Sequence, residues 1–172
     1  MNLEQAIKTA LEYENRVHAT YEEAEQTTGD PIGKRIFAVL AKEEQGHIDY
    51  LNHCLESWTK TGKLTVEKLE TVVPPQERIQ AGLSAMRQKV EGQTQQMSSQ
   101  ELELLQRAVE AEETTSGFYQ KMAAELDDEG QQLFRRFVEI EQGHLAIVRA
   151  ELDSAQGLGF WFDVPEWQFQ DG

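Results

Sequence analysis

Apolar residues return every third or fourth position along four stretches of this chain, the spacing that keeps side chains on one face of a helix. In the first stretch Leu3, Ile7, Ala10, Glu14, Val17, Tyr21 and Ala24 form the stripe. Asn2, with Gln5 three residues on, makes a capping-box pair, and Thr27-Thr28-Gly29 closes a helix of about residues 3–28. Asp30 then caps a second helix with Pro31 at its first position. That helix is expected to run to about Thr59, with Phe37, Leu40, Glu44, His47, Leu51, Cys54 and Trp58 facing inward.

Ser98 and Glu101 open a third helix, whose stripe reads Leu102, Leu105, Val109, Glu112, Thr115, Tyr119 and Met122. Asp127-Asp128-Glu129 closes that hairpin and caps a fourth helix, with Phe134, Phe137, Glu141, His144 and Val148 inward and Gly157 and Gly159 as its stop. A long connection, about 60–98, joins the second helix to the third and is punctuated by Gly62 and Pro74-Pro75. It carries a short helical pattern near 76–91 in Ile79, Leu83, Met86 and Val90. Such a link suits a bundle whose second and third helices run parallel and need a crossover. No strand pattern competes. The expected fold is an all-α four-helix bundle over residues 1–156, followed by an aromatic tail at 157–172.

The pattern also repeats. Glu44-Gln45-Gly46-His47 recurs as Glu141-Gln142-Gly143-His144, and two of the chain's four histidines sit in this frame. Gly33 and Phe37 align with Gly130 and Phe134, while Ala10-Leu11-Glu12-Tyr13-Glu14 and Tyr21 align with Ala108-Val109-Glu110-Ala111-Glu112 and Tyr119. The chain thus reads as two copies of one helical hairpin, each contributing a lone Glu and a Glu-x-x-His.

Composition narrows the class. Among 172 residues, 31 acidic and 16 basic side chains give a formal charge of −15, with no basic patch, so nucleic acid and anionic membrane surfaces are poor partners. No apolar run is long enough for a membrane span, and residues 1–30 lack a signal-peptide core. Cys54 is the single cysteine, which excludes an internal disulfide and fits a cytoplasmic location. It reads as a small buried hydrophobe.

Glu14, Glu44, Glu112 and Glu141 each interrupt an otherwise apolar stripe. Bare carboxylates are costly to bury, and four at one level call for compensation. Two divalent cations supply it, and neutral imidazoles from His47 and His144 complete the donor set. Carboxylate plus imidazole, without thiolate, suits iron or manganese better than structural zinc. The bland alternative is a metal-free bundle whose acids reach solvent. His18 and His53 lie off the stripes and read as surface groups, while Glu43 and Glu113 point about 100° away from their ligand neighbours as solvated or outlying groups.

On these residues the chain, over about residues 3–155, resembles ferritin-like di-iron carboxylate proteins, nearest to the bundle domain of the rubrerythrin family. The resemblance implies two non-haem iron ions per chain, with manganese or a mixed pair also compatible. It implies Glu14 and Glu112 as terminal ligands, Glu44 and Glu141 as bridges, and His47 and His144 as one nitrogen ligand per metal. Tyr21 and Tyr119, each seven residues after a lone Glu, match tyrosines that hydrogen-bond ligand carboxylates in that family. Two departures are plain. The four-cysteine rubredoxin module of rubrerythrins is missing, and Thr115 stands where they carry a further Glu.

The activity implied is reduction of hydrogen peroxide or O₂ by an Fe(II) pair, with electrons from a separate donor such as a rubredoxin-like protein. The alternative is ferroxidase or iron-storage function of the ferritin type. A homodimer is expected. The tail, with Phe160, Trp161, Phe162, Trp167 and Phe169, is expected to pack on its own bundle or across that dimer rather than serve as a docking peptide.

Overall fold

A computed structural model of the chain describes residues 1–65, 67–87 and 98–156. The helices begin where the capping residues stand. Helix α1, Leu3–Thr27, starts behind Asn2, whose side chain and that of Gln5 exchange hydrogen bonds with each other's backbone. Helix α2, Pro31–Thr61, starts behind Asp30, which accepts from the Ile32 and Gly33 amides at 2.7 and 2.9 Å. It runs two residues beyond the expected Thr59 because its terminator is Gly62, which adopts the left-handed conformation (φ 69°) that glycine takes without penalty. Helix α3, Gln76–Arg87, lies in the crossover, and the Met86 side chain and Val90 lie outside the described residues. Helices α4, Ser99–Glu125, and α5, Asp128–Ala155, follow, capped by Ser98 and Asp127. Gln156 caps the end of α5, and the expected stops Gly157 and Gly159, with the aromatic tail, lie outside the described residues.

These five helices, with no strand among the described residues, form an all-α bundle packed in pairs: α1 on α2, α4 on α5, α1 on α4, and α3 on α5. The directions follow from who meets whom. Tyr21 reaches Glu112 while Tyr119 reaches Glu14, so α1 and α4 are antiparallel. His47 meets Glu141 while His144 meets Glu44, so α2 and α5 are antiparallel as well. Because short turns reverse the chain within each hairpin, α2 and α4 run parallel, and the crossover must return along the bundle.

Two apolar clusters fill the interior, one at each end. The first gathers Val17, Tyr21, Ile36, Phe37, Leu40, Leu105, Ile147 and Val148, and the second Leu3, Ile7, Leu51, Tyr119, Met122, Phe134 and Phe137. Each large buried side chain contributes about 1.5–3 kcal/mol relative to exposure. Cys54 lies fully buried in the second cluster, as expected, and burial pushes its thiol up to about 11. The α4 seam differs from the one read in the sequence. Leu102 and Val109 are half-buried, and the buried positions are Leu104, Leu105 and Ala108 leading to Glu112, Thr115, Ser116, Tyr119 and Met122. The helix faces two neighbours, α1 and α5, so its buried arc is wider than a single stripe. Trp58 is likewise half-buried, packed on the edge of the second cluster. No described helix is long and apolar enough to cross a membrane.

Candidate metal centre

Between the two apolar clusters lies a polar layer. Glu14, Glu44, Glu112, Glu141 and His144 have no exposed surface, and His47 is 1% exposed. Three-residue spacing places Glu44 with His47, and Glu141 with His144, on the inner faces of α2 and α5. Glu44, His47, Glu141 and His144 each offer a ligand atom within 4.8 Å of the others, a buried group that could hold a metal ion. The two imidazoles stack at 5.2 Å with planes 8° apart, and Phe137 lies edge-on to His47.

Both histidines turn Nδ1 toward the carboxylates. His47 Nδ1 lies 3.2 Å from oxygens of Glu14, Glu44 and Glu141. His144 Nδ1 lies 2.7 Å from Glu44, 3.8 Å from Glu112 and 3.9 Å from Glu141. Glu44 and Glu141 are therefore shared, whereas Glu14 and Glu112 each stand at one side. The lone glutamates are held crosswise: the Tyr21 hydroxyl donates to Glu112 and the Tyr119 hydroxyl to Glu14. All six expected donor residues, and both tyrosines, are brought together in this layer.

Its electrostatics are those of a negative cluster held by protons. Burial, with Glu44 and Glu141 nearby, raises the Glu14 carboxyl well above the usual range, and burial with Glu141 and Glu44 does the same to Glu112. For Glu44 burial also pushes upward, but His47 and His144 outweigh it and hold the carboxylate well below. His47 and His144 are raised because the surrounding carboxylates, Glu44 foremost, overcome the effect of burial. Burial and the adjacent carboxylates raise both tyrosine hydroxyls, which stay protonated and able to donate.

The donor set could hold a metal ion. Glu44 Oε2, Glu112 Oε2 and both oxygens of Glu141 are buried without a hydrogen-bond partner, an arrangement that costs free energy unless a cation completes it. The donors are oxygen and nitrogen only, since Cys54 belongs to the apolar cluster beyond.

A strap from the crossover closes the α2/α5 side of this layer, and the sequence reading did not anticipate it. Tyr50 donates to the Glu67 carbonyl at 3.1 Å, and Arg136 to the Leu69 carbonyl at 3.2 Å. Glu43 accepts from the Thr71 hydroxyl and, at 3.4 Å, from the Val72 amide. Its Oε2 also lies 4.0 Å from His144 Nε2, a charge contact longer than a hydrogen bond. Burial pushes the Glu43 carboxyl upward, but His144 and Thr71 more than offset it and the group is lowered. Of the two readings for Glu43, a solvated group or one outlying the ligands, its place beside His144 fits the second. Glu113 instead pairs with Arg149 at the surface. A Cβ at Gly143 would meet the Pro74 carbonyl at 2.9 Å, so the strap seats on that glycine. The signal for it was present in the repeated Gly, yet only the packed structure says which copy is used. His18 and His53 stand apart from the layer, 3.7 Å from Glu22 and Glu67 respectively.

No protein-family model, curated protein or solved structure matches this chain. The class of molecule is therefore defined by the fold and the layer themselves: an all-helical bundle with a buried Glu/His group able to hold metal.

Proposed function

We propose that this protein is a ferritin-like, non-haem di-iron oxidoreductase of the rubrerythrin-like type, reducing hydrogen peroxide or O₂ with electrons from a separate donor protein. The observation that carries the reading is the division of donors around the two imidazoles. Glu14, Glu44 and Glu141 surround His47 Nδ1, and Glu44, Glu112 and Glu141 surround His144 Nδ1. That is the distribution two metals would need, with Glu44 and Glu141 bridging and Glu14 and Glu112 terminal. When bound, an iron pair would supply two electrons, one from each Fe(II), enough to reduce hydrogen peroxide to water or O₂ to peroxide.

The chain's own residues do the rest. Tyr21 and Tyr119 fix the orientation of the terminal carboxylates by donating to them from the opposite helix. The apolar clusters above and below exclude water from the layer, which strengthens each electrostatic contact within it. Four carboxylates would balance the charge of two divalent cations.

Anaerobic titration of the apo-protein with Fe(II), followed by stopped-flow mixing with O₂ and with peroxide, tests the proposal. Two irons per chain are expected, with peroxide or O₂ oxidising them in one kinetic phase. Glu44→Ala and Glu141→Ala should lower the stoichiometry, and fewer than two irons in the parent chain would overturn the di-iron reading. A cage of many subunits that retains oxidised iron would support the ferritin-type alternative instead.

A further inference from the structure

The polar layer has four sides, and they are not alike. Packing within the hairpins closes two, α1 on α2 and α4 on α5. The strap crosses a third, over α2 and α5. On the fourth, between α1 and α4, the described residues leave a groove of about 260 Å³, with Val17, Ala111 and Thr115 in its lining beneath Arg16, Arg107 and Glu110.

Its position is specific. The Tyr119–Glu14 pair and the Tyr21–Glu112 pair cross from helix to helix at two successive levels. On antiparallel helices Val17 and Thr115, each three residues beyond a lone glutamate, lie between those levels. The groove therefore reaches the level of the polar layer at these two residues, although neither terminal carboxylate lines it. Val17 and Thr115 both line the groove yet are only 1% exposed, so they form its inner wall. The Thr115 hydroxyl donates to the Ala111 carbonyl at 2.9 Å, which leaves its oxygen lone pairs available to an entering O–H. Thr114 makes the same bond to Glu110 at the mouth.

The rim is less acidic than the molecule as a whole. Arg16 and Arg107 stand there with Glu110, and Glu23 pairs with Arg107, so the rim is close to neutral in a chain of net charge −15. Arg16 lies 5.8 Å over the Tyr13 ring, and Arg107 is held by both oxygens of Glu23 at 2.9 and 3.2 Å. Such a rim repels a small anion less than the acidic surface elsewhere on the chain does.

We infer that the α1/α4 groove is the route by which a small neutral or anionic ligand, of the size of peroxide or azide, reaches the metal centre, with Thr115 and Val17 as its inner gate. The inference rests on the di-metal reading above and assigns Thr115 a positioning role at the point of entry.

The full chain loaded with Co(II) provides the test, with azide as the probe and the visible Co(II) absorption as the readout. Co(II) stoichiometry is measured first, and a parent chain that takes up none removes the metal reading and this route with it. Ala111→Trp fills the groove from its wall. It is expected to slow azide association by more than about tenfold while Co(II) stoichiometry and helix content stay unchanged. Thr114→Trp, at an exposed position on the mouth, slows it in the same direction and decides the matter should the first variant fail to fold. Glu77→Trp, in the cavity beside the strap, should leave azide kinetics at the parent value. Unchanged kinetics in the folded groove variants, or slowing by Glu77→Trp instead, would overturn the assignment.

Discussion

Gly46 and Gly143 hold the same place in the repeated Glu-Gln-Gly-His, yet their surroundings are opposite. A methyl at Gly143 would lie 2.9 Å from the Pro74 carbonyl and 3.0 Å from Val73, whereas nothing lies within 4 Å of one at Gly46. Gly143→Ala should therefore destabilise the fold by about 1–3 kcal/mol, since the contact is with backbone that cannot swing aside. Gly46→Ala should stabilise it by about 0.4–1 kcal/mol by restricting the unfolded chain in an exposed helical position. Urea unfolding of both variants checks the pair, and equal effects would contradict the seating of the strap. Tyr21→Phe and Tyr119→Phe remove the donors to Glu112 and Glu14. Each is expected to keep the fold while weakening Co(II) or Mn(II) affinity by about 10–100-fold, measured by calorimetric titration. Unchanged affinity would mean that the hydroxyls do not orient the carboxylates. These residues were legible in the sequence because a lone Glu and a Tyr recur at one spacing in both halves. The crosswise pairing was not, because spacing along one helix says nothing about which helix a hydroxyl reaches.

At the scale of elements, the helix starts were legible from Asn2, Asp30, Ser98 and Asp127, each of which caps through its own side chain. Local chemistry decides such ends, so one sequence suffices. The strap was not legible, because it is fixed by long-range partners: Tyr50, Arg136, Glu43 and Gly143. Glu101 shows both kinds of contact in one side chain. It completes the capping box with Ser98 and also accepts from Gly29 at 2.7 Å and Thr28 at 2.9 Å, tying the start of α4 to the α1–α2 turn. Burial would raise this carboxyl, but hydrogen bonds from Ser98, Gly29 and Thr28 bring it down to about 2. A depressed folded-state value means that its contribution is fully present above the unfolded carboxylate range and is lost as pH falls through it toward about 2. Glu101→Gln should accordingly flatten the acid limb of the stability curve between about pH 4 and 2, followed by thermal melts across that range. An unaltered slope would show that the group titrates alike in both states.

For the whole molecule, the buried layer sets the balance between apo and loaded forms. Atoms such as both Glu141 oxygens lack partners, so a cation that completes the layer should stabilise the folded state. At a free Co(II) or Mn(II) concentration of a hundred times Kd, the gain is about 2.7 kcal/mol per site, seen as a rise in melting temperature that a chelator reverses. A melting temperature indifferent to metal would argue for a layer satisfied by its own protons. The duplicated hairpin has a consequence of a different kind. Each half carries one lone glutamate and one Glu-x-x-His, and each lone glutamate takes its tyrosine from the other half. A chain caught during synthesis with only α1 and α2 made, or a fragment left by a protease, therefore holds an incomplete set of donors. On the proposed reading, iron would become redox-competent only after both hairpins have docked, so occupancy of the centre would certify a finished chain and spare the cell a half-built one that leaks radicals.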